Sequence, residues 1–89
     1  MSQYFNRVSS NHGAVEILTG WDQALGYFFL VIGVDLDEPY YSNLYEPDGL
    51  NLTLEYYQTI LDKFEINEIS LKPDSELTKA LLDDQRNGR

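Results

Sequence analysis

Apolar and polar positions follow two different periods along this chain, and the change between them divides it. Residues 14–19 place Val15, Ile17 and Thr19 on one side and Ala14, Glu16 and Leu18 on the other. That period of two marks a strand with one better-buried face. Residues 27–34 (Tyr-Phe-Phe-Leu-Val-Ile-Gly-Val) crowd aromatic and β-branched side chains without polar alternation, which predicts a central strand covered on both faces. Residues 4–8 form a shorter candidate. Between these runs, residues 9–13 and 20–26 read as connections, since Gly13, Gly20 and Gly26 permit tight backbone turns. Asp35-Leu36-Asp37-Glu38-Pro39 ends the central strand, and residues 40–45 return as another antiparallel strand. The pattern predicts a meander of three to four strands within residues 3–45.

The second half is helical in period. Leu54, Tyr57, Ile60, Leu61 and Phe64 fall at i, i+3, i+6, i+7 and i+10, one stripe of a helix over about residues 52–64. Asn51 or Thr53 is placed to cap its start, and Lys63 suits the negative end of its dipole. Residues 65–71 connect, with Ile66, Ile69 and Leu71 able to tuck under. Pro73-Asp74-Ser75-Glu76 opens a second helix, about residues 74–85, capped by Asp74 or Ser75 and burying Leu77, Ala80 and Leu81. Asn87-Gly88-Arg89 should fray. Strands followed by helices on one face make a two-layer α+β fold. At 89 residues the chain is one small domain, with a core that needs no covalent staple.

Charge changes this picture. Residues 35–76 hold eleven carboxylates against Lys63 and Lys72, a net of −9 that equals the charge of the whole chain. The remaining acids and bases balance. The expectation is an electrically two-sided molecule, with a nearly neutral apolar half and an anionic half. Such a charge repels nucleic-acid phosphates and anionic lipid, so direct binding to nucleic acid or membrane is not expected. Cysteine is absent, which removes disulfides and thiolate metal sites and suits the cytoplasm. The start of the chain lacks a signal-peptide pattern, and the longest apolar run falls far short of the ~18 residues of a membrane span.

The segment Gly20-Trp21-Asp22-Gln23-Ala24-Leu25-Gly26-Tyr27-Phe28-Phe29-Leu30-Val31-Ile32 resembles small uncharacterised bacterial proteins that share a Gly-aromatic-Asp, short spacer, aromatic-Phe core. The resemblance covers residues 14–45. It implies a hairpin and a bacterial origin, and it implies no activity. Trp21 and Asp22 could grip a cationic ligand from a loop. The structural alternative has Trp21 covering the end of the core while Asp22 accepts turn amides.

Catalytic and metal chemistry find little purchase. Counting from Asp35, a calcium loop would need glycine where Tyr40 stands, although Glu46 fits its final acidic position. His12 lacks companions for a zinc site, and Ser9 and Ser10 lack the setting of an activated nucleophile, leaving His12 as an exposed turn residue. Glu16, the one acid inside a strand, is read as facing water. No glycine-rich phosphate loop occurs. Asn51-Leu52-Thr53 matches a glycosylation pattern, but the pattern is read as a helix start. No enzyme activity, cofactor or metal is expected.

What remains is a set of tyrosines inside the acidic block: Tyr40, Tyr41, Tyr45, Tyr56 and Tyr57. Tyrosine is enriched at interfaces, and acids steer a cationic partner. The expected role is therefore a binding module for a basic protein surface, using Tyr40, Tyr41 and Tyr45 with Asp37, Glu38 and Glu46. One alternative is a nucleic-acid mimic, with Glu55, Asp62, Glu65 and Glu68 standing in for phosphates. Another is a small-molecule pocket or active site between sheet and helices, lined by Trp21. An uncovered edge strand, residues 40–45, would also invite pairing with a second copy.

Overall fold

The computed structural model describes residues 1–88, so Arg89 lies outside the described residues. Its elements are β1 (Tyr4–Ser10), β2 (Gly13–Asp22), β3 (Tyr27–Ile32), β4 (Tyr41–Ser42), a 3-10 turn (Asn43–Tyr45), α1 (Leu54–Lys63) and α2 (Glu76–Asn87). The strands form one antiparallel sheet in the order β1-β2-β3-β4 and the helices follow, which is the expected α+β meander.

Register explains which side of the sheet is covered. Val8 pairs with Val15, Ile17 with Ile32, and Thr19 with Leu30, so these residues share one face. That face carries the core, where Ile17, Leu30 and Ile32 pack with Tyr57, Leu61, Ile66 and Leu81 from the helical half. Phe5, Leu18 and Val31 share the opposite face through the pairs Phe5–Leu18 and Leu18–Val31. There Phe5 is 56% exposed, while Leu30 on the covered face is 0% exposed.

Several boundaries differ from expectation for identifiable reasons. Gly20, Trp21 and Asp22 belong to β2, not to a connection, and the turn is confined to residues 23–26. Gly20 is needed as a strand residue, because a side chain there would collide with the Phe29 ring and the Ser2 carbonyl. The connection between β1 and β2 likewise shrinks to Asn11 and His12. β3 ends at Ile32, is half-buried at Tyr27 and Val31, and is covered by helices on one face only. β3 is nonetheless an inner strand, as expected, and shares the centre of the sheet with the longer β2.

Residues 40–45 do not form a strand beyond Tyr41–Ser42. The Ser42 hydroxyl accepts the Leu44 amide and starts the 3-10 turn instead. The longer edge is therefore β1, partly covered where Asn11 N–H donates to the Phe64 carbonyl and Ser9 N–H to Glu68 Oε1.

Both helix caps come from the expected segments. Thr53 accepts the Tyr56 amide and Ser75 accepts the Thr78 amide. α1 ends at Lys63, and two residues on Glu65 takes a left-handed backbone (φ 57). Its N–H returns to the Asp62 carbonyl and that of Ile66 to Leu61, after which Ile66 is buried. α2 runs through Asn87 and is capped by Gly88 at φ 70; of the end expected to fray, Arg89 lies outside the described residues. Its buried stripe is Thr78, Leu81 and Asp84, with Leu77 and Ala80 half-buried. Asp84 Oδ2 accepts from the Tyr4 hydroxyl at 2.5 Å, tying α2 to β1.

Two stability measurements follow. Leu30→Ala should lower unfolding free energy by about 2–5 kcal/mol, and Phe5→Ala should change it by about 0.5 kcal/mol or less in urea titrations. Equal effects would contradict the one-sided sheet. Thr19 Oγ1 is buried and has no hydrogen-bond partner among the described residues. Thr19→Val should therefore raise the midpoint, because it removes an unsatisfied hydroxyl at nearly constant shape.

Candidate functional site

The connection from β3 to α1, residues 33–53, carries most of the side chains expected to bind a partner. It is held at several points. Gly33 turns the chain at φ 85 and its carbonyl accepts the Leu36 amide. Tyr41 and Ser42 then return onto β3. Asn43 is fully buried. Its amide oxygen accepts from Leu30 N–H at 3.4 Å and its amide nitrogen donates to the Gly49 carbonyl at 2.9 Å, so one side chain bridges the sheet and the following turn.

Glu46 completes the anchoring. Its carboxylate accepts from the Tyr41 hydroxyl on one oxygen and from the Tyr56 hydroxyl, at 2.7 Å, on the other. Tyr57 lies alongside, fully buried, and donates to the Phe28 carbonyl at 2.9 Å. These phenols hold their protons tightly. Tyr41 is pushed above its ordinary range by burial and then by Glu46, and Tyr57 by burial and then by the Glu46 charge. Tyr56 is raised chiefly by its hydrogen bond to Glu46.

This geometry divides the expected binding residues. Tyr45 is 60% exposed, and Tyr40, Asp37 and Glu38 are also exposed. Tyr41 and Glu46 are half-buried and spent on each other, so they position the surface without offering a free docking group. Tyr40 is partly engaged as well: its ring stacks on His12 with centroids 4.5 Å apart and planes at 17°. His12 is exposed, as expected, but it also buttresses the connection.

The other candidates resolve as follows. Trp21 pairs across the hairpin with Phe28 at 4.8 Å and donates its indole N–H to Gln23. Asp22 Oδ1 accepts the Leu25 amide, and its carbonyl accepts the Gly26 amide, so it holds the turn. Half-buried Glu16 meets Arg7 at 3.4 Å, and Arg7 also reaches Asp35 at 3.9 Å. Glu55 and Asp62 lie on α1, Glu65 at its end, and Glu68 against the β1 edge. Among the described residues, no group of three or more His, Asp or Glu is arranged to hold a metal ion, and no helix is long and apolar enough to cross a membrane.

A groove of about 740 Å³ lies between α1, α2 and the end of the β2–β3 hairpin. Trp21 and Phe28 line it together with Leu50, Leu54, Leu71 and Leu82. Its charged lining residues, Glu55 and Lys72, are both exposed. Sequence reasoning placed Trp21 near such a space but did not identify Leu50 or Leu82. The i, i+4, i+7 spacing of Thr78, Leu82 and Gln85 was the available signal.

Comparison with protein-family models, characterised proteins and solved structures yields no match.

Raised phenol pKa values mean that the folded state binds protons more tightly than the unfolded chain. The associated stability is complete below about pH 10 and is lost as pH rises through the folded values. Chemical denaturation should therefore show stability declining above about pH 10. In Glu46→Gln, tyrosinate absorbance should show Tyr56 ionising at lower pH while Tyr41 and Tyr57, held up chiefly by burial, remain late. Glu46→Ala should cost about 1–2 kcal/mol. An unchanged titration would remove Glu46 from its anchoring role.

Proposed function

We propose that the protein is a non-enzymatic binding module that docks a basic protein surface onto the connection between β3 and α1. The supporting observation is a coincidence on one anchored segment. Leu36, Tyr40, Leu44, Tyr45 and Leu50 are exposed beside Asp37, Glu38 and Asp48. No lysine or arginine occurs between Arg7 and Lys63, and among the described residues none of these three acids has an ion-pair partner. The acids would accelerate and orient encounter with a cationic surface, and Tyr45 and Tyr40 would supply desolvated contact. The buried carboxylates Asp22 and Asp84 accept hydrogen bonds that hold a turn and a helix, which favours binding over catalysis. The bacterial, cytoplasmic setting read from the sequence belongs to the same proposal.

The test is capture from bacterial lysate at low and high salt, using wild type, Tyr45→Ala and the double variant Asp37→Lys/Glu38→Lys. Each variant should remain folded by circular dichroism and lose about tenfold or more in affinity for a partner held by the wild type at low salt. A partner indifferent to both variants and to ionic strength would overturn the reading.

A further inference from the structure

The groove between α1 and α2 adjoins the docking segment, since Leu50, Leu52 and Thr53 belong to both. Its floor is the Trp21–Phe28 pair. Leu54 and Gln58 of α1 form one wall, and Thr78, Leu82 and Gln85 of α2 form the other. Leu50 is 46% and Leu82 40% exposed at the rims. The groove is open to solvent.

We infer that this groove seats one amphipathic helix of the basic partner. The helix's apolar stripe would lie between α1 and α2, and its lysines or arginines would flank it on the α1 side. This inference rests on the docking proposal and names the partner's secondary structure and polarity. Connections at residues 50–53 and 71–73 also line the groove, but where α1 and α2 form its walls the backbone groups are already paired, so an extended peptide there would bury unpaired N–H and C=O groups against leucine. A helix brings its own satisfied backbone and presents apolar residues at matching i, i+3 and i+4 spacing. Charge sets its polarity. The α1 side offers Glu55 in the lining and Asp62 further along the helix, with exposed Asp48 in the preceding connection, before the first lysine, Lys63. The α2 side is mixed, with Lys72 in the lining and Lys79 and Arg86 on the helix against Glu76 and Asp83. A compact ligand would be poorly enclosed by an open channel. A second copy would bring another −9 charge.

Trp21 is the only tryptophan and lines the groove, so its fluorescence reports occupancy directly. The probes are synthetic helical peptides of about four turns: a leucine/lysine peptide, a leucine/glutamate peptide with the same stripe, and a scrambled leucine/lysine peptide. The leucine/lysine peptide should shift Trp21 emission and bind at least about tenfold more tightly than either control. Leu82→Glu, at an exposed rim position and checked for folding by circular dichroism, should weaken that binding at least about tenfold. Equal binding of the scrambled peptide, or indifference to Leu82→Glu, would mean charge alone drives association; the groove inference falls and the docking proposal stands. Tight binding of the leucine/glutamate peptide would overturn the basic polarity and the docking proposal with it. Absence of peptide binding would overturn the helix. So would a Trp21 shift produced only by octyl glucoside below its micellar range, or a dimer in sedimentation velocity abolished by Leu82→Glu.

Discussion

One carboxylate shared by two phenols decides the character of this molecule's surface. Glu46 sits in the connection between sheet and helices, and Tyr41 and Tyr56 reach it from β4 and α1. Without such an anchor, a polar stretch this long between elements would be a mobile loop. With it, and with Asn43 bridging Leu30 to Gly49, the connection becomes a fixed platform. The arrangement also reverses what Glu46 does electrostatically. Half-buried and hydrogen-bonded twice, it shapes the platform, and the exposed Asp37, Glu38 and Asp48 are left to project charge.

The legible parts of the fold were those where one residue type answers to one physical demand. Val15, Ile17 and Thr19 alternate because one side of β2 meets the helices, and all three are buried. Thr53 and Ser75 could be read as caps because a hydroxyl before an apolar stripe has few other uses. The illegible parts depended on partners that sequence spacing does not reveal. Gly20 looked like a chain break, yet it sits inside a strand to make room for a ring nine residues away. Asn43, Leu44 and Tyr45 looked like strand residues, yet the Ser42 hydroxyl and the Asn43 amide bond to backbone and bend the chain into a 3-10 turn after β4. Glu65 adopts a backbone that favours glycine, and no local pattern announces it. Within the candidate site, Tyr40, Tyr45, Asp37 and Glu38 are exposed as a binding surface requires, whereas Tyr41 and Glu46 of the same expected set are half-buried. The Tyr41–Glu46 bond was not legible, because its five-residue spacing belongs to no regular period.

The expected division into an apolar half and an anionic half is replaced by a division across faces. Half of the buried apolar side chains come from the strands and half from residues 54–81, which lie largely within the acidic block. Those residues turn Leu54, Tyr57, Ile60, Leu61 and Leu81 inward and keep their acids in water, where repulsion is screened. Glu55 and Glu76 stand in first turns, Lys63 and Arg86 in last turns, so part of the charge also stabilises its own helix.

A sheet covered on one face by two helices with a groove between them leaves two apolar surfaces to account for. The open face of the sheet is partly self-sufficient. Phe29 folds over Gly20 and is nearly buried, and Arg7 links Glu16 to Asp35 along the same side. The groove has no equivalent. Trp21 and Phe28 close its floor, but Leu50 and Leu82 stand at its rims with their apolar surface in water. Scattered exposed leucines need no explanation, whereas leucines on opposite rims of an aromatic-floored channel form a continuous patch of the kind that marks interaction sites. The anchored acidic platform ends where that channel begins, at Leu50–Thr53. A partner held by charge on the platform is thereby brought to the apolar surface on which binding energy can accumulate.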